Sequence, residues 1–436
     1  MNFASLMAEL NTPVTRESTL EYRQRKLSEE GFNSAQISAV LAPITTSVQV
    51  QAGAGTGKTR VLVSRVVHLL ENGVSPSDML ICTFTRNAAE EMRARLPKYR
   101  DQLKGLGTIH SLALRHTPRT TNAYTPVQLI PEEEVLLVLE GLTAHFPNKN
   151  EDAKDVLLKL SRMRENRKVV PEYEALLAAY FAELASQGVQ DFLMLIEAGI
   201  LRATTRRYRY ILVDEAQDVT ALQVDWLRKV AAPDARVYWV GDENQAIYGF
   251  RGSSRSLLSG DGITRISLNL NYRCAPEVLD MAQRMLSENA PKLVATQPAG
   301  NPVEILQFAY DALELDAIQG AYALAPDKTE FMVLARTNAL LQPLIELGIP
   351  CMTVHGSKGK EWDQVWVMGM EAGNFPEARG DLDEEHRLAY VAMTRARRQL
   401  VLSWAARREV GVNRNTLEPS LFLSKKDGLP TGTLDW

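Results

Sequence analysis

The stretch Gln51-Ala-Gly-Ala-Gly-Thr-Gly-Lys-Thr59 constrains this chain more than any other. An apolar run at 47–50 precedes it and a helical pattern over 60–70 follows. A glycine-rich turn between a strand and a helix forms a cradle for phosphate. Gly53, Gly55 and Gly57 let backbone N–H groups approach phosphate oxygens, and the helix N-terminus adds a favourable dipole. In the pattern G-x-x-x-x-G-K-T, Lys58 reaches the β- and γ-phosphates and the Thr59 hydroxyl binds Mg²⁺. Ala52 stands where the strict pattern has glycine. A glycine-rich turn that binds nothing is the alternative, and the ordered succession of strand, glycines, lysine, threonine and helix weighs against it. The chain is therefore expected to bind a nucleoside triphosphate.

The remaining composition narrows the class. A length of 436 residues suits about two or three domains. No apolar run is long enough to span a bilayer. Residues 1–30 are polar and mixed in charge, without the apolar centre of a signal peptide. Cys82, Cys274 and Cys351 lie far apart in no metal-binding spacing, and the histidines are scattered, so a reducing, cytoplasmic setting without a zinc site is expected. The net charge of −4 weighs against a passive nucleic-acid coat protein, which is usually basic. It leaves room for a locally basic groove. Arginines cluster at 202–209 and 395–408, where a solvated charged face is an equally good reading of either cluster alone.

Short apolar runs recur at 48–51, 79–83, 210–213, 237–240, 265–270, 331–334, 365–368 and 400–404. Several are followed by polar loops and then helical patterns, which argues an α/β architecture with buried parallel sheets. Ligands in such sheets bind at the carboxyl ends of strands, so the polar residues just after each run are the candidate ligand contacts. Between 116 and 188 strand signals fade, and 132–142, 154–163 and 172–185 read as amphipathic helices inserted into one α/β domain. A second α/β domain is expected to begin near 260–262. The tail over 413–436 is rich in turn formers and expected to be loosely held.

The run Tyr210-Ile-Leu-Val-Asp-Glu-Ala-Gln-Asp218 is a buried strand ending in acids. An acid at a strand end can hold Mg²⁺ through its water shell, which suits Asp214. Its neighbour Glu215 can orient and deprotonate the attacking water. Two acids on a solvated loop are the bland alternative, which the upstream glycine loop disfavours. The next strand ends in Gly241-Asp-Glu-Asn-Gln245, and Gln245 is placed to sense a γ-phosphate. Tyr248, Phe250 and Arg251 follow, suited to base stacking and phosphate contact, although aromatics at such places are more often core. Phe84, in the strand-to-helix transition 83–92, can stack a base, with Thr85 and Asn87 contacting the backbone. His110 lies on a comparable loop, where a lone histidine is more often structural. An arginine reaching a γ-phosphate across a cleft stabilises transition-state charge, a role open to Arg273 and Arg395. Two such groups on a separate domain would let nucleotide binding close the cleft and hydrolysis open it. Taken singly, each reads as a surface ion pair. Tyr272 can stack on the adenine face.

In this order the segments resemble the motifs of superfamily 1 helicases of the UvrD/Rep/PcrA group, from about 32 to 404. Phe32-Asn-Ser-Ala-Gln36 is similar to the Q motif, and the resemblance implies that Gln36 reads adenine, with Arg60 on the base or ribose side. Residues 51–59 resemble motif I, 83–92 motif Ia, and 107–111 the segment after it. Asp214–Asp218 resembles motif II, 241–252 motif III, and Asn271-Tyr-Arg273 motif IV. Thr353-Val-His-Gly-Ser-Lys-Gly-Lys-Glu361 resembles motif V and 390–396 motif VI. Asp191 and Phe192 resemble a further family segment. The likeness implies Glu361 on the ribose hydroxyl and His355 near DNA. Lys360 stands where the family usually has an apolar residue, Trp362 where it has Phe, and Phe250 where Trp is frequent.

The resemblance implies two RecA-like P-loop domains. Domain 1A comprises 1–115 and 189–262, interrupted by a helical insertion, 1B, over 116–188; domain 2A covers 263–436. Larger members carry a long insertion, domain 2B, just before motif V. Here 347–350 runs almost directly into 351–355, so 2B is expected to be absent. The implied activity is an ATP- and Mg²⁺-dependent helicase or translocase moving 3′→5′ on single-stranded DNA. Its expected partners are single-stranded DNA, single/double-strand junctions, and replication or repair proteins, and it is expected to act as a monomer without a membrane. One rival is a translocase that displaces proteins and unwinds poorly without a partner. Another is a non-catalytic ATP- or DNA-binding regulatory module, against which Lys58, Asp214, Glu215, Arg273 and Arg395 speak. An RNA-directed enzyme is a third, because stacking platforms tolerate either sugar.

Overall fold

Alternating apolar strands and amphipathic helices bury their faces by forming parallel sheets covered by helices on both sides. The computed structural model of the protein describes residues 19–116, 128–146, 151–202, 208–249, 262–378, 380–408 and 416–423, and it contains two such sheets. Helices α1 (Thr19–Glu29) and α2 (Ser34–Leu41) lead into β1 (Val48–Ala52), the glycine loop and α3 (Lys58–Glu71). Then come β2 (Met79–Thr83), α4 (Arg86–Ala94), β3 (Leu106–Thr108) and α5 (Ile109–His116). A pair of short strands, β4 (Gln128–Leu129) and β5 (Val189–Gln190), brackets α6 (Glu132–Thr143), α7 (Ala153–Glu165) and α8 (Pro171–Ser186). The chain returns through α9 (Phe192–Arg202) to β6 (Tyr208–Val213), α10 (Ala221–Val230), β7 (Ala231–Gly241) and β8 (Thr264–Leu268).

The first lobe is built on a six-stranded sheet in the order β3-β2-β6-β7-β1-β8, parallel throughout. Every residue of β2 is buried, as expected of a strand covered on both faces. Because the strands run the same way, the ends of β1, β2, β6 and β7 open on one rim. That rim carries the glycine loop, Phe84, Asp214 with Glu215, and Asp242. The run at 265–270 is not one strand. Residues 264–268 pair with β1, and the crossing expected near 262 comes after Leu268. Without β8, the edge of β1 beside the glycine loop would present unpaired backbone groups.

The helical insertion has its own core around Leu139, Val156, Leu160, Leu176, Tyr180 and Leu184. Buried Arg164 fastens it to the first lobe. Its guanidinium donates to both carboxylate oxygens of Asp191 and to Glu197, and the Tyr180 hydroxyl donates to Asp191 at 2.8 Å. Full pairing is what makes such charges tolerable in a core. Asp191, from the further family segment, thus holds insertion and lobe together.

The second lobe opens with β9 (Leu270–Asn271), α11 (Pro276–Gln283) and β10 (Val294–Ala295), followed by β11 (Glu304–Phe308), α12 (Asp311–Leu324), β12 (Phe331–Ala335) and α13 (Asn338–Glu346). It closes with β13 (Cys351–Thr353), β14 (Trp362–Val367), α14 (Leu382–Met393) and β15 (Ala396–Ala405). Its five-stranded sheet is also parallel, in the order β11-β15-β14-β12-β13. Residues 347–350 alone join α13 to β13, turning at Gly348 with φ +68°. Part of the tail is firmly held: Phe422 is buried against Phe375 and His386. Both sheets agree with the expected α/β class of two RecA-like lobes. No helix among the described residues is long and apolar enough to cross a membrane.

Candidate active site and nucleic-acid platform

The glycine loop leaves β1 and enters α3 through two left-handed residues, Gly55 at φ +66° and Gly57 at φ +82°. Side chains rarely adopt that conformation, so glycine is required at both. Lobe packing adds a second demand. A Cβ on Gly53 would lie 2.5 Å from Leu293, and one on Gly55 2.6 Å from the Cβ of Arg273. The second lobe also grips the loop by hydrogen bonds. Asn271 Nδ2 donates to the Ala54 carbonyl at 2.7 Å, Tyr272 N–H to the Gly55 carbonyl at 2.8 Å, and Ala54 N–H to the Tyr390 hydroxyl at 3.3 Å. Asn271 and Tyr390 are contacts that sequence reasoning missed, since the partners lie hundreds of residues away.

Lys58 begins α3, and half-buried Thr59 follows it. The Lys58 ammonium is buried without a hydrogen-bond partner, its ion-pair neighbour Glu215 Oε2 lying 3.6 Å away. An under-satisfied buried cation is costly, and a phosphate oxygen beside it would remove the cost. This orphaned ammonium and the left-handed glycine cradle fit a triphosphate.

Strand β6 carries Asp214 and Glu215 to the same rim. Asp214 N–H donates to the Cys82 carbonyl at 2.9 Å, which fixes the strand end. Glu215 has φ +49°, a conformation that costs a non-glycine residue about 1–3 kcal/mol and is concentrated at functional sites. Burial pushes the Asp214 carboxyl up, and the adjacent Glu215 charge adds to the effect. Burial acts on Glu215 in the same direction, but Lys58, Lys358 and the Gln217 amide outweigh it and hold that carboxyl well below its usual range. The same Gln217 accepts from Asp242 N–H at 3.0 Å, tying the ends of β6 and β7 together. Asp242 Oδ2 is buried without a hydrogen-bond partner. Gln245 is buried just beyond.

Arg273 and Arg395 prove to be different kinds of residue. Arg273 makes an ion pair, its Nε donating to Glu361 Oε2 at 2.5 Å. Arg395 is not at the surface: it is 1% exposed, and its Nε and Nη1 donate to the Val391 and Lys360 carbonyls at 2.9 and 3.1 Å. Burial, then repulsion from Arg273, pushes its guanidinium down to about 9. A buried cation held by neutral acceptors is matched to an incoming anion.

A cleft of about 930 Å³ separates the lobes, lined by Gln36, Gly55, Gly57, Arg60, Tyr272, Arg273, Glu361 and Arg397. Gln36 is buried, and its Nε2 donates to the Thr56 carbonyl at 2.9 Å, bracing the glycine loop. The Arg60 guanidinium sits 4.0 Å from the centre of the Phe32 ring and donates to the Glu30 carbonyl. Glu361 faces Arg273 and also Arg397, 3.6 Å away.

The aromatic residues gather on the adjoining face. Phe84 stacks on Tyr248, with ring centres 5.0 Å apart and planes 23° from parallel. His355 lies 6.2 Å from Tyr248, and His110 meets the edge of Phe192 at 6.3 Å. Thr85 caps α4, its hydroxyl accepting from Ala88 N–H at 3.1 Å, and Asn87 is exposed in the first turn. Phe250 and Arg251 lie outside the described residues. Beneath the rings, a cavity of about 200 Å³ reaches Asp214, Glu215 and Asp218, so platform and acids share one space.

Lys358, missed by sequence reasoning, links them. Its ammonium donates to Asp218 Oδ2 and to the Gln245 carbonyl, and lies 5.0 Å from the centre of the Tyr248 ring and 6.0 Å from that of Phe84. It occupies the loop that supplied His355 and Glu361, but a lysine between Ser357 and Gly359 gives no local sign of where it points. Burial pushes the Asp218 carboxyl up to about 6, against the pull of Lys358.

Comparisons with known proteins agree with this geometry. Residues 32–261 match the UvrD/REP helicase N-terminal domain, and 341–407 the UvrD-like helicase C-terminal domain. The chain is 30% identical to DNA helicase II of Escherichia coli over 323 residues, 65% of this chain and 45% of that protein. It is 28% identical to a probable DNA helicase of Mycoplasma pneumoniae over 86% of this chain and 83% of that one. With DNA helicase IV of Escherichia coli it shares 28% identity over 91% of this chain and 71% of the relative. The chain thus spans less than half the length of DNA helicase II and most of the length of the other two. With two RecA-like lobes around a glycine-loop cleft, and with one family domain matching more than half its length, the chain belongs to the UvrD/REP helicase family of superfamily 1.

Proposed function

We propose that this protein is an ATP-dependent DNA helicase that moves 3′→5′ along single-stranded DNA. The observation that carries the reading is Lys358, one ammonium in contact with both the acid end of the ATP site and the aromatic platform. ATP binds in the cleft, its phosphates in the glycine loop against Lys58. The base lies between Arg60 and Tyr272 with its edge toward Gln36, and Glu361 exchanges an arginine for the ribose. Thr59 and Asp214 would hold Mg²⁺, which supplies neutralisation of charge on the β- and γ-phosphates. Among the described residues no group of three or more His, Cys, Asp or Glu side chains forms a metal site. That suits an ion held mainly by water and phosphate oxygens.

Glu215, kept ionised, takes the proton of the attacking water as its oxygen bonds to the γ-phosphorus and the bond to the bridging oxygen breaks. Gln245 senses the γ-phosphate, and Arg273 and Arg395 stabilise the departing charge. The strand crosses both lobes over Phe84 and Tyr248, with Thr85, Asn87, His110 and His355 along its path. The arrangement is compact: domain 1A with 1B inserted, then 2A, and no 2B at the short junction 347–350. The missing domain also keeps alive a translocase that displaces proteins and unwinds poorly alone.

Steady-state ATP hydrolysis with and without single-stranded DNA tests the coupling. The wild-type rate is expected to rise on adding DNA, and Lys358→Ala to lose roughly tenfold of that stimulation, within the usual range of coupling between sites. A wild-type rate indifferent to DNA would remove the functional reading. Equal stimulation in the variant would remove Lys358 from it.

A further inference from the structure

We infer that Asn33 is a positioning residue that holds together the two surfaces gripping the nucleotide base, an assignment that rests on the proposed ATP site. Three hydrogen bonds carry it. Asn33 Oδ1 accepts from Gln36 N–H at 2.9 Å, and Asn33 N–H donates to Gln36 Oε1 at 3.0 Å, a reciprocal cap on α2. Asn33 Nδ2 donates to the Tyr272 hydroxyl at 2.8 Å, across the cleft. One side chain therefore touches both the residue facing the base edge and the ring facing the base plane.

The backbone of Tyr272 is already anchored, its N–H to Gly55 and its carbonyl to Gln297 Nε2 at 2.6 Å. Tyr272 is 37% exposed and lines the cleft. Its remaining freedom is rotation about the side-chain torsions. A bond at the far tip removes that freedom before a ligand arrives, which is preorganisation in the ordinary sense. The bond also joins an element of the first lobe to the opening segment of the second.

The test uses two substitutions in the full chain. Asn33→Ser keeps an oxygen able to cap α2 but is too short to reach Tyr272. Tyr272→Phe keeps the ring and deletes the hydroxyl. Each is expected to raise KM for ATP about threefold to tenfold, the worth of one hydrogen bond, with kcat unchanged. The double variant should be no worse than either single one, because both remove the same contact. Inorganic tripolyphosphate, a competitor without a base, should bind all the variants as it binds the wild type. Weakened tripolyphosphate binding in Asn33→Ser would mean that Asn33 acts only by bracing the glycine loop through Gln36, and would overturn the inference. Additive effects in the double variant, or an unchanged KM in both singles, would do so too. Should the wild type fail to hydrolyse ATP, the proposed function falls instead, and equilibrium titration of the same variants with ATP and tripolyphosphate still decides the role of Asn33.

Discussion

Glu215→Gln will keep ATP bound and lower its hydrolysis by roughly 10³-fold, the usual scale for losing a positioned general base. The substituted amide has the same size but cannot accept the proton of the attacking water. Affinity for ATP should not fall. Glu215 is the ion-pair neighbour of the Lys58 ammonium, and neutralising it removes a competitor of the phosphates for that cation. The electrostatics set a further condition. A carboxyl held below its usual range is ionised throughout the neutral region, so no loss of activity between pH 6 and 8, roughly, should trace to Glu215. Single-turnover hydrolysis alongside equilibrium ATP binding measures both quantities. Near-normal turnover in the variant would transfer the role of base to another group.

Arg395→Ala will lower hydrolysis by about 10³-fold or more, as expected for a cation that meets the γ-phosphate as charge develops. Arg395 is 1% exposed, and removing it takes a donor from the Val391 carbonyl and leaves the Lys360 carbonyl without the one Arg395 supplies, so the alanine variant should also melt earlier. Arg395→Lys separates the two effects. It retains a charge but not the planar fork that reaches two carbonyls and an anion at once. Its hydrolysis should fall between wild type and Arg395→Ala while its thermal midpoint stays nearer the wild type. Thermal melts together with kcat measurements check this. An Arg395→Ala variant that melts earlier yet hydrolyses ATP at near the wild-type rate would show that Arg395 serves only to join α14 to the segment before β14.

The elements that the sequence made legible are those whose signal is local. Strand, glycine loop and helix at β1–α3 announce themselves within about two dozen residues. The insertion helices follow from spacing, expected over 132–142, 154–163 and 172–185 and found over Glu132–Thr143, Ala153–Glu165 and Pro171–Ser186. What stayed hidden depends on pairing across the chain. An apolar run at 265–270 does not say that 264–268 will lie beside β1 and that the next two residues will start another lobe. Gly53 and Gly55 read as concessions to phosphate, whereas Leu293 and Arg273 press on them as well. Arg273 and Arg395 look alike in sequence; only the degree of burial separates a partly buried ion pair from an enclosed cation. Asn33, Lys358 and Tyr390 each act on a partner more than a hundred residues away, and no pattern of spacing reports such contacts.

The central claim is that ATP hydrolysis in the cleft drives directed movement along a DNA strand. Displacement of the labelled strand from duplexes carrying a 3′ or a 5′ single-stranded tail tests it most directly. The account predicts strand release that requires ATP and Mg²⁺, favours the 3′ tail, and disappears in Glu215→Gln. Release without ATP, or equal release from both tails, would contradict it.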